Sequence, residues 1–235
     1  MIRAVTFDAG ATLLHPDPPV AEIYVREFER DGVPGVRASI GAALARTWEE
    51  IRRRDTPDRY GGTTGERHFW ETFVRRTRFH LDRGEVSDRC FALLVSHFSS
   101  PAAWSVYADV VPALDELRAR GFSLAIVSNW DSSLPALLDA NSLSARFDAI
   151  LVSGIEGTGK PGGEIFLRAC RRLGVEPEEA LHVGDSREED YEAARAAGLC
   201  ALLLDRNGVH PAVEQRVTSL GEVAGVCAPA PAARR

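Results

Sequence analysis

Residues 122–129 read Phe-Ser-Leu-Ala-Ile-Val-Ser-Asn, an apolar run without polar alternation that closes on two hydrogen-bonding side chains. A strand that is apolar at successive positions is covered on both faces, as in a parallel sheet. Immediately upstream, Val110–Arg120 has helical periodicity and stops at Gly121, a residue suited to the turn that ends a helix. Downstream the alternation repeats: helix Leu134–Ala140, strand Asp148–Val152, helix Glu164–Leu173, strand Ala180–Val183, helix Glu188–Ala197 and strand Leu199–Leu204. Ile2–Phe7 is one more short apolar run, at the start of the chain. Strands and helices in this order predict an α/β fold, a doubly wound, Rossmann-like parallel sheet with helices on both faces.

Between the first strand and Val110 the character changes. Four amphipathic stretches, Val20–Arg30, Val36–Arg54, Glu66–Leu81 and Val86–Phe98, read as helices, and no strand is evident. In the third, Phe69, Trp70, Phe73 and Val74 fall on one face. Asp55–Gly65, rich in Pro, Gly and Thr, reads as a loop, and Ser99-Ser100-Pro101 as a break. The expectation is a mostly α-helical insertion over residues 16–99 in a core made of 1–15 and 100–235, with a frayed tail at Ala228–Arg235.

Composition narrows the function classes. At 235 residues the chain makes one or two domains of about 150 residues. Its net charge of -6 argues against a general nucleic-acid surface. No apolar stretch is long enough for a membrane span, and Asp8 interrupts any signal-peptide core. Cys90, Cys170, Cys200 and Cys227 have no metal spacing and read as reduced thiols of a cytoplasmic protein; monomer and homodimer both stay open.

In doubly wound sheets ligands sit beyond the carboxyl ends of the strands. Those ends carry Asp8-Ala9-Gly10-Ala11-Thr12, Ser128-Asn129, Gly159-Lys160-Pro161, and Gly184-Asp185-Ser186 with Asp190 one turn later. Several acids near one lysine make a site for Mg²⁺ and a phosphoryl group. In these four motifs, in this order, the chain resembles the haloacid dehalogenase superfamily, in its subgroup with a helical cap after the first motif. The resemblance implies Asp8 as the nucleophile that forms an aspartyl-phosphate. It implies Ser128 as the hydroxyl on the phosphoryl oxygens with Asn129 beside it, and Lys160 as the neutralising cation. Asp8, the Gly10 carbonyl and Asp185 would hold Mg²⁺, Asp190 would support Lys160 or a metal-bound water, and Thr12 would be the loop threonine at the substrate. The function so implied is a phosphatase acting on small phosphate esters.

The sequence departs from the family pattern where a second aspartate normally serves as proton donor, here Gly10. General acid–base catalysis contributes about 10²–10⁴-fold, so alkyl phosphates should turn over slowly. A 2-haloacid dehalogenase, which needs neither that acid nor a metal, is an alternative, as is a catalytically weak member that binds phosphorylated ligands. Gly162-Gly163 after Lys160-Pro161 adds backbone freedom to the lysine loop. Gly154–Lys160 fits G-x-x-x-x-G-K, but Pro161 stands where a phosphate-binding loop needs Ser or Thr. His182 reads as a core residue, His15 as a surface residue with a second reading as proton carrier, and Trp130 as either core or pocket wall.

Overall fold

Val5, Phe7, Leu124, Ile126 and Val183 are buried in one apolar cluster, and Val127, Leu151 and Ala180 in a second. Strands that bury side chains on both faces require a helical layer on each. The computed structural model describes residues 1–52 and 62–227. Its strands are β1 (Ala4–Phe7), β2 (Leu14–Pro16), β3 (Trp104–Val106), β4 (Ser123–Ser128), β5 (Ala149–Val152), β6 (Ala180–Gly184), β7 (Cys200–Leu204) and β8 (Arg216–Val217). The main sheet has the order β5-β4-β1-β6-β7-β8, with every pairing parallel. Phe7 stands in register with Ile126 on one side and Val183 on the other. The chain builds outward from β1 through β4 and β5, then crosses to β6, so the topological switch lies at the carboxyl end of β1. That is where Asp8 follows.

The helices before β4 are α1 (Val20–Arg30), α2 (Ile40–Arg52), α3 (Gly62–Phe79), α4 (Asp88–Phe98) and α5 (Val110–Ala119). After it come α6 (Leu134–Ala140), the short α7 (Ser153–Glu156), α8 (Glu164–Leu173), α9 (Ala193–Ala196) and α10 (Val223–Val226). Helices α1 to α4 share their own core, in which Ile23, Phe28, Phe73 and Leu94 are buried. Buried Arg78 belongs to it as well, pairing with Asp31 at 3.1 Å and lying over the Phe28 ring. This helical unit joins the sheet through the antiparallel pair β2–β3.

Several elements differ from their sequence expectation. β2, β3 and β8 hold two or three residues each, too few for any periodicity to register. The helix expected over Val36–Arg54 begins at Ile40, because residues up to Ser39 form a turn in which Ile40 N donates to the Val36 carbonyl. The helix expected over Glu188–Ala197 is a π-turn, Arg187–Glu192, running into α9. Gly62–Gly65, expected in a loop, open α3. The rest of that loop, residues 55–61, and the tail Ala228–Arg235 lie outside the described residues.

Candidate active site

Asp8 is held at the end of β1 by its backbone N–H, which donates to the Val183 carbonyl at 3.0 Å. Two neighbouring elements aim at its Oδ1: Ser128 Oγ donates at 3.0 Å from the end of β4, and Lys160 Nζ at 2.7 Å. No hydrogen bond from the described residues ends on Oδ2, which leaves that oxygen to the adjoining cavity. Lys160 also donates to Asp190 Oδ1 at 2.5 Å, so its ammonium bridges two carboxylates. This fixes the reading of the G-x-x-x-x-G-K stretch, whose lysine faces acids of the chain itself.

The two glycines after Pro161 do not loosen the lysine. Asn129 clamps its backbone from both sides, accepting from Lys160 N at 2.8 Å and donating to Lys160 O at 2.7 Å. Asn129 Nδ2 donates further to Glu189 at 3.0 Å. Its amide is thus spent on loop geometry, although the residue lines the cavity.

Asp190 projects from the π-turn back beneath the sheet edge. Its Oδ2 accepts from Ser186 N at 2.9 Å, and its Oδ1 meets His182 Nε2 at 3.1 Å as well as Lys160. The carboxyl passes so close to β6 that a Cβ on Gly184 would lie 2.2 Å from its Cγ; only glycine fits there. His182 in turn meets Thr6 Oγ1 through Nδ1 at 2.8 Å and packs against Phe166. Its being buried matches the sequence reading, but its bond to Asp190 was not foreseen. A histidine two residues before a strand-end glycine-aspartate is the only signal that could have pointed to it.

The electrostatics follow from this packing. Burial favours a neutral amine at Lys160, yet Asp190 and Asp8 outweigh it and hold the ammonium well above the usual lysine range. Burial likewise opposes ionisation of Asp190, but Lys160 and then His182 keep its carboxyl well below the usual carboxylate range. His182 is shifted down, its desolvation exceeding the pull of Asp190, so it stays neutral at pH 7. Asp8 is raised by burial, against Lys160. Asp185 is pushed up to about 8 by desolvation and then by the charges of Asp8 and Asp190. Carboxylate oxygens of Asp8, Asp185 and Asp190 lie within 4.8 Å of one another, a group of hard donors able to hold a divalent ion.

All five of Asp8, Ser128, Lys160, Asp185 and Asp190 line one cavity of about 730 Å³ between the sheet rim and the helical unit. Thr12, expected at the substrate, stands apart from it. Thr12 is fully buried, its Oγ1 has no hydrogen-bond partner, and it is absent from the lining; the chain turns through left-handed Ala11 (φ 55°) just before it. His15, read as a surface residue with a second reading as proton carrier, is half-buried in β2 with its ring tilted against Tyr107, centroids 4.6 Å apart, and lies outside the lining. Gly10 and Trp130 are both in the wall. Two contacts close the helical unit over the rim: Glu66 accepts from Ser132 N and Oγ at 2.6 and 2.7 Å, and Trp70 Nε1 donates to Asp131 at 2.7 Å.

Comparison with known proteins places the chain in a family. The sequence model of the haloacid dehalogenase-like hydrolase family matches residues 2–198. A glyceraldehyde 3-phosphate phosphatase of Methanopyrus kandleri is 32% identical over 226 residues, covering 92% of this chain and 89% of the relative. An (S)-2-haloacid dehalogenase 4A of Burkholderia cepacia is 31% identical over 237 residues, covering 94% and 93%. Among solved structures, an HAD phosphatase from Thermococcus onnurineus superposes with a TM-score of 0.67 at 27% identity, covering 96% of this chain and 97% of that one.

Proposed function

The chain belongs to the haloacid dehalogenase-like hydrolases, and from that premise we propose that it is a Mg²⁺-dependent phosphomonoesterase working through an aspartyl-phosphate on Asp8. The observation that carries this reading is the convergence of Lys160 Nζ and Ser128 Oγ on Asp8 Oδ1, with Asp185 and Asp190 beside them. A carboxylate attacks an anionic phosphate only where the mutual repulsion is cancelled. Lys160 supplies part of that cancellation, and Ser128 is placed to hydrogen-bond the phosphoryl oxygens.

The acidic group fits a hard divalent ion. Its donors are carboxylate oxygens, and a cation would relieve the repulsion from Asp8 and Asp190 that adds to desolvation in raising Asp185. Asp8, Asp185 and the Gly10 carbonyl would hold it, while Asp190, engaged with Lys160, His182 and Ser186, serves to orient the lysine. When bound, Mg²⁺ supplies charge neutralisation on nucleophile and phosphoryl group. Asp8 Oδ2 forms the bond to phosphorus as the ester P–O bond breaks, and the leaving oxygen takes the electron pair. Water then attacks the same phosphorus, the bond to Asp8 breaks, and inorganic phosphate departs with the proton going to solvent. Residues 16–99 act in this scheme as a cap over the core of 1–15 and 100–235, excluding bulk water during attack.

Phosphate release from small esters, with Mg²⁺ and with EDTA, tests the proposal. Asp8→Asn should lower Mg²⁺-dependent turnover by about 10³-fold or more; retention of turnover would overturn it. Gly10, and the dehalogenase relative, favour one other reading, displacement of halide from a short 2-haloacid by Asp8. Chloride release without metal would establish that reading instead, and the acidic trio speaks against it.

A further inference from the structure

The cavity has two unlike halves. On the sheet side are Asp8, Lys160, Ser128 and the acids. On the other, Trp48, Trp70, Phe73, Phe91 and Phe98 reach in from the helical unit, and Trp104 and Trp130 from the core. Trp130 stands at the junction. A Cβ on Gly10 would lie 3.3 Å from its Cζ3, so the indole occupies the direction in which a side chain at position 10 would grow. The Trp130 main chain is held, its N–H donating to Ser153 Oγ at 3.1 Å and its carbonyl accepting from Gly154 N at 3.0 Å, and its ring packs on Trp104 with centroids 4.7 Å apart.

The acids near this wall are engaged elsewhere: Glu66 with Ser132, Asp131 with Trp70 and Ser133, and Glu189 with Asn129. The oxygen leaving phosphorus therefore meets an aromatic face where a carboxylic acid would otherwise protonate it. A phenolic oxygen departs unaided far more readily than an alkoxide, since a phenol ionises with a pKa of about 10 and water, close to an alcohol, at about 15.7. The same rings offer face and edge contacts to a flat aromatic group.

We infer that the substrate is an aryl phosphate, its ring seated in the aromatic half of the cavity, and that Trp130 is the specificity-determining residue. The inference rests on the phosphatase reading of Asp8 and deepens it. Two independent properties point to one ligand class: the missing acid selects a good leaving group, and the lining selects a flat apolar one.

The test separates these properties, and separates the inference from the reading beneath it. With Mg²⁺, kcat/KM is measured for 1-naphthyl, phenyl, benzyl, ethyl and glycerol phosphates. Binding of the non-hydrolysable phenylphosphonate and methylphosphonate is measured by calorimetry. The naphthyl and phenyl esters should exceed the ethyl ester by about 100-fold or more, and phenylphosphonate should bind at least about tenfold tighter than methylphosphonate. Benzyl phosphate, with the ring but a poor leaving group, should match phenyl phosphate in KM and fall well below it in kcat. Trp130→Ala should raise KM for the aryl esters about tenfold more than it raises KM for ethyl phosphate. Trp130→Phe should keep most of the aryl preference and so controls for folding. Equal affinity for the two phosphonates, or faster turnover of glycerol phosphate than of phenyl phosphate, overturns the inference while Asp8-dependent turnover keeps the phosphatase. Absence of Asp8-dependent hydrolysis of every ester overturns the phosphatase, and the substrate with it.

Discussion

Gly10 and Trp130 occupy complementary volumes, and that makes position 10 testable by gain of function. Gly10→Asp alone places a Cβ 3.3 Å from the indole, tight enough that either ring or carboxyl must shift. The single variant should therefore leave alkyl phosphate turnover low. Gly10→Asp combined with Trp130→Ala frees the space, and a working proton donor should raise ethyl phosphate kcat by about tenfold or more over Trp130→Ala alone. Steady-state kinetics of the three variants decide it; an equal gain from the single variant would show that the ring is no obstacle. At this scale the sequence was informative for residues set by strand ends. Asp8, Ser128, Lys160, Asp185 and Asp190 meet at one cavity because each follows or lies near a parallel strand's carboxyl end. Residues whose part depends on how a loop folds back could not be read that way. The bond of His182 to Asp190, the clamp of Asn129 on Lys160 and the burial of Thr12 are all products of loop paths. Position alone does not encode those paths.

Helix α3 is the element that brings the helical unit onto the sheet rim. It carries the Glu66 and Trp70 contacts on one turn, and both end on the short segment after β4 that also holds Trp130. Glu66→Ala removes the acceptor for Ser132 N and Oγ at an exposed site. Net contributions of such bonds are about 0.5–1.5 kcal/mol each, and exposure keeps charged ones small. Global stability in urea should thus fall by no more than about 1 kcal/mol. Closure of the proposed cap should suffer more, changing kcat and KM together by about three- to tenfold. Kinetics run beside equilibrium unfolding distinguish the two, and parent-like kinetics would remove α3 from any part in closure. The helices and the long strands were legible because their apolar periods extend over several residues. β2 and β3, which form the stem under this unit, escaped notice because three residues cannot display a period of two. The stem was thus invisible although the helical unit it supports was not.

For the molecule as a whole, three carboxylates drawn together at one rim would couple the proposed metal binding to pH. Without a cation, Asp185 stands at about 8 through desolvation and the nearby charges of Asp8 and Asp190, against about 3.9 in an unfolded chain. A carboxyl raised on folding favours the native state at low pH, where both states hold the proton in common, and that contribution declines as pH climbs from about 4 towards 8. Asp190 works in the opposite sense: its lowered carboxyl contributes stability above the unfolded value that is lost as pH falls through the folded one. A bound divalent ion requires Asp185 as carboxylate, so below about 8 binding must expel its proton. Apparent Mg²⁺ affinity should therefore rise by up to about tenfold per pH unit between 6 and 8 and then level off. The increase in Tm produced by Mg²⁺ should be larger at pH 8 than at pH 6, and EDTA should abolish it at both. Calorimetry in buffers of different ionisation enthalpy should register proton release on Mg²⁺ binding at pH 6 and little at pH 9. Asp185→Asn, which has no proton to release and one charge fewer, should bind Mg²⁺ weakly with a much flatter pH dependence. A Mg²⁺ effect on Tm that is the same at pH 6 and pH 8 would mean that Asp185 is not the group the ion displaces a proton from, and the assignment of the metal to this rim would fall.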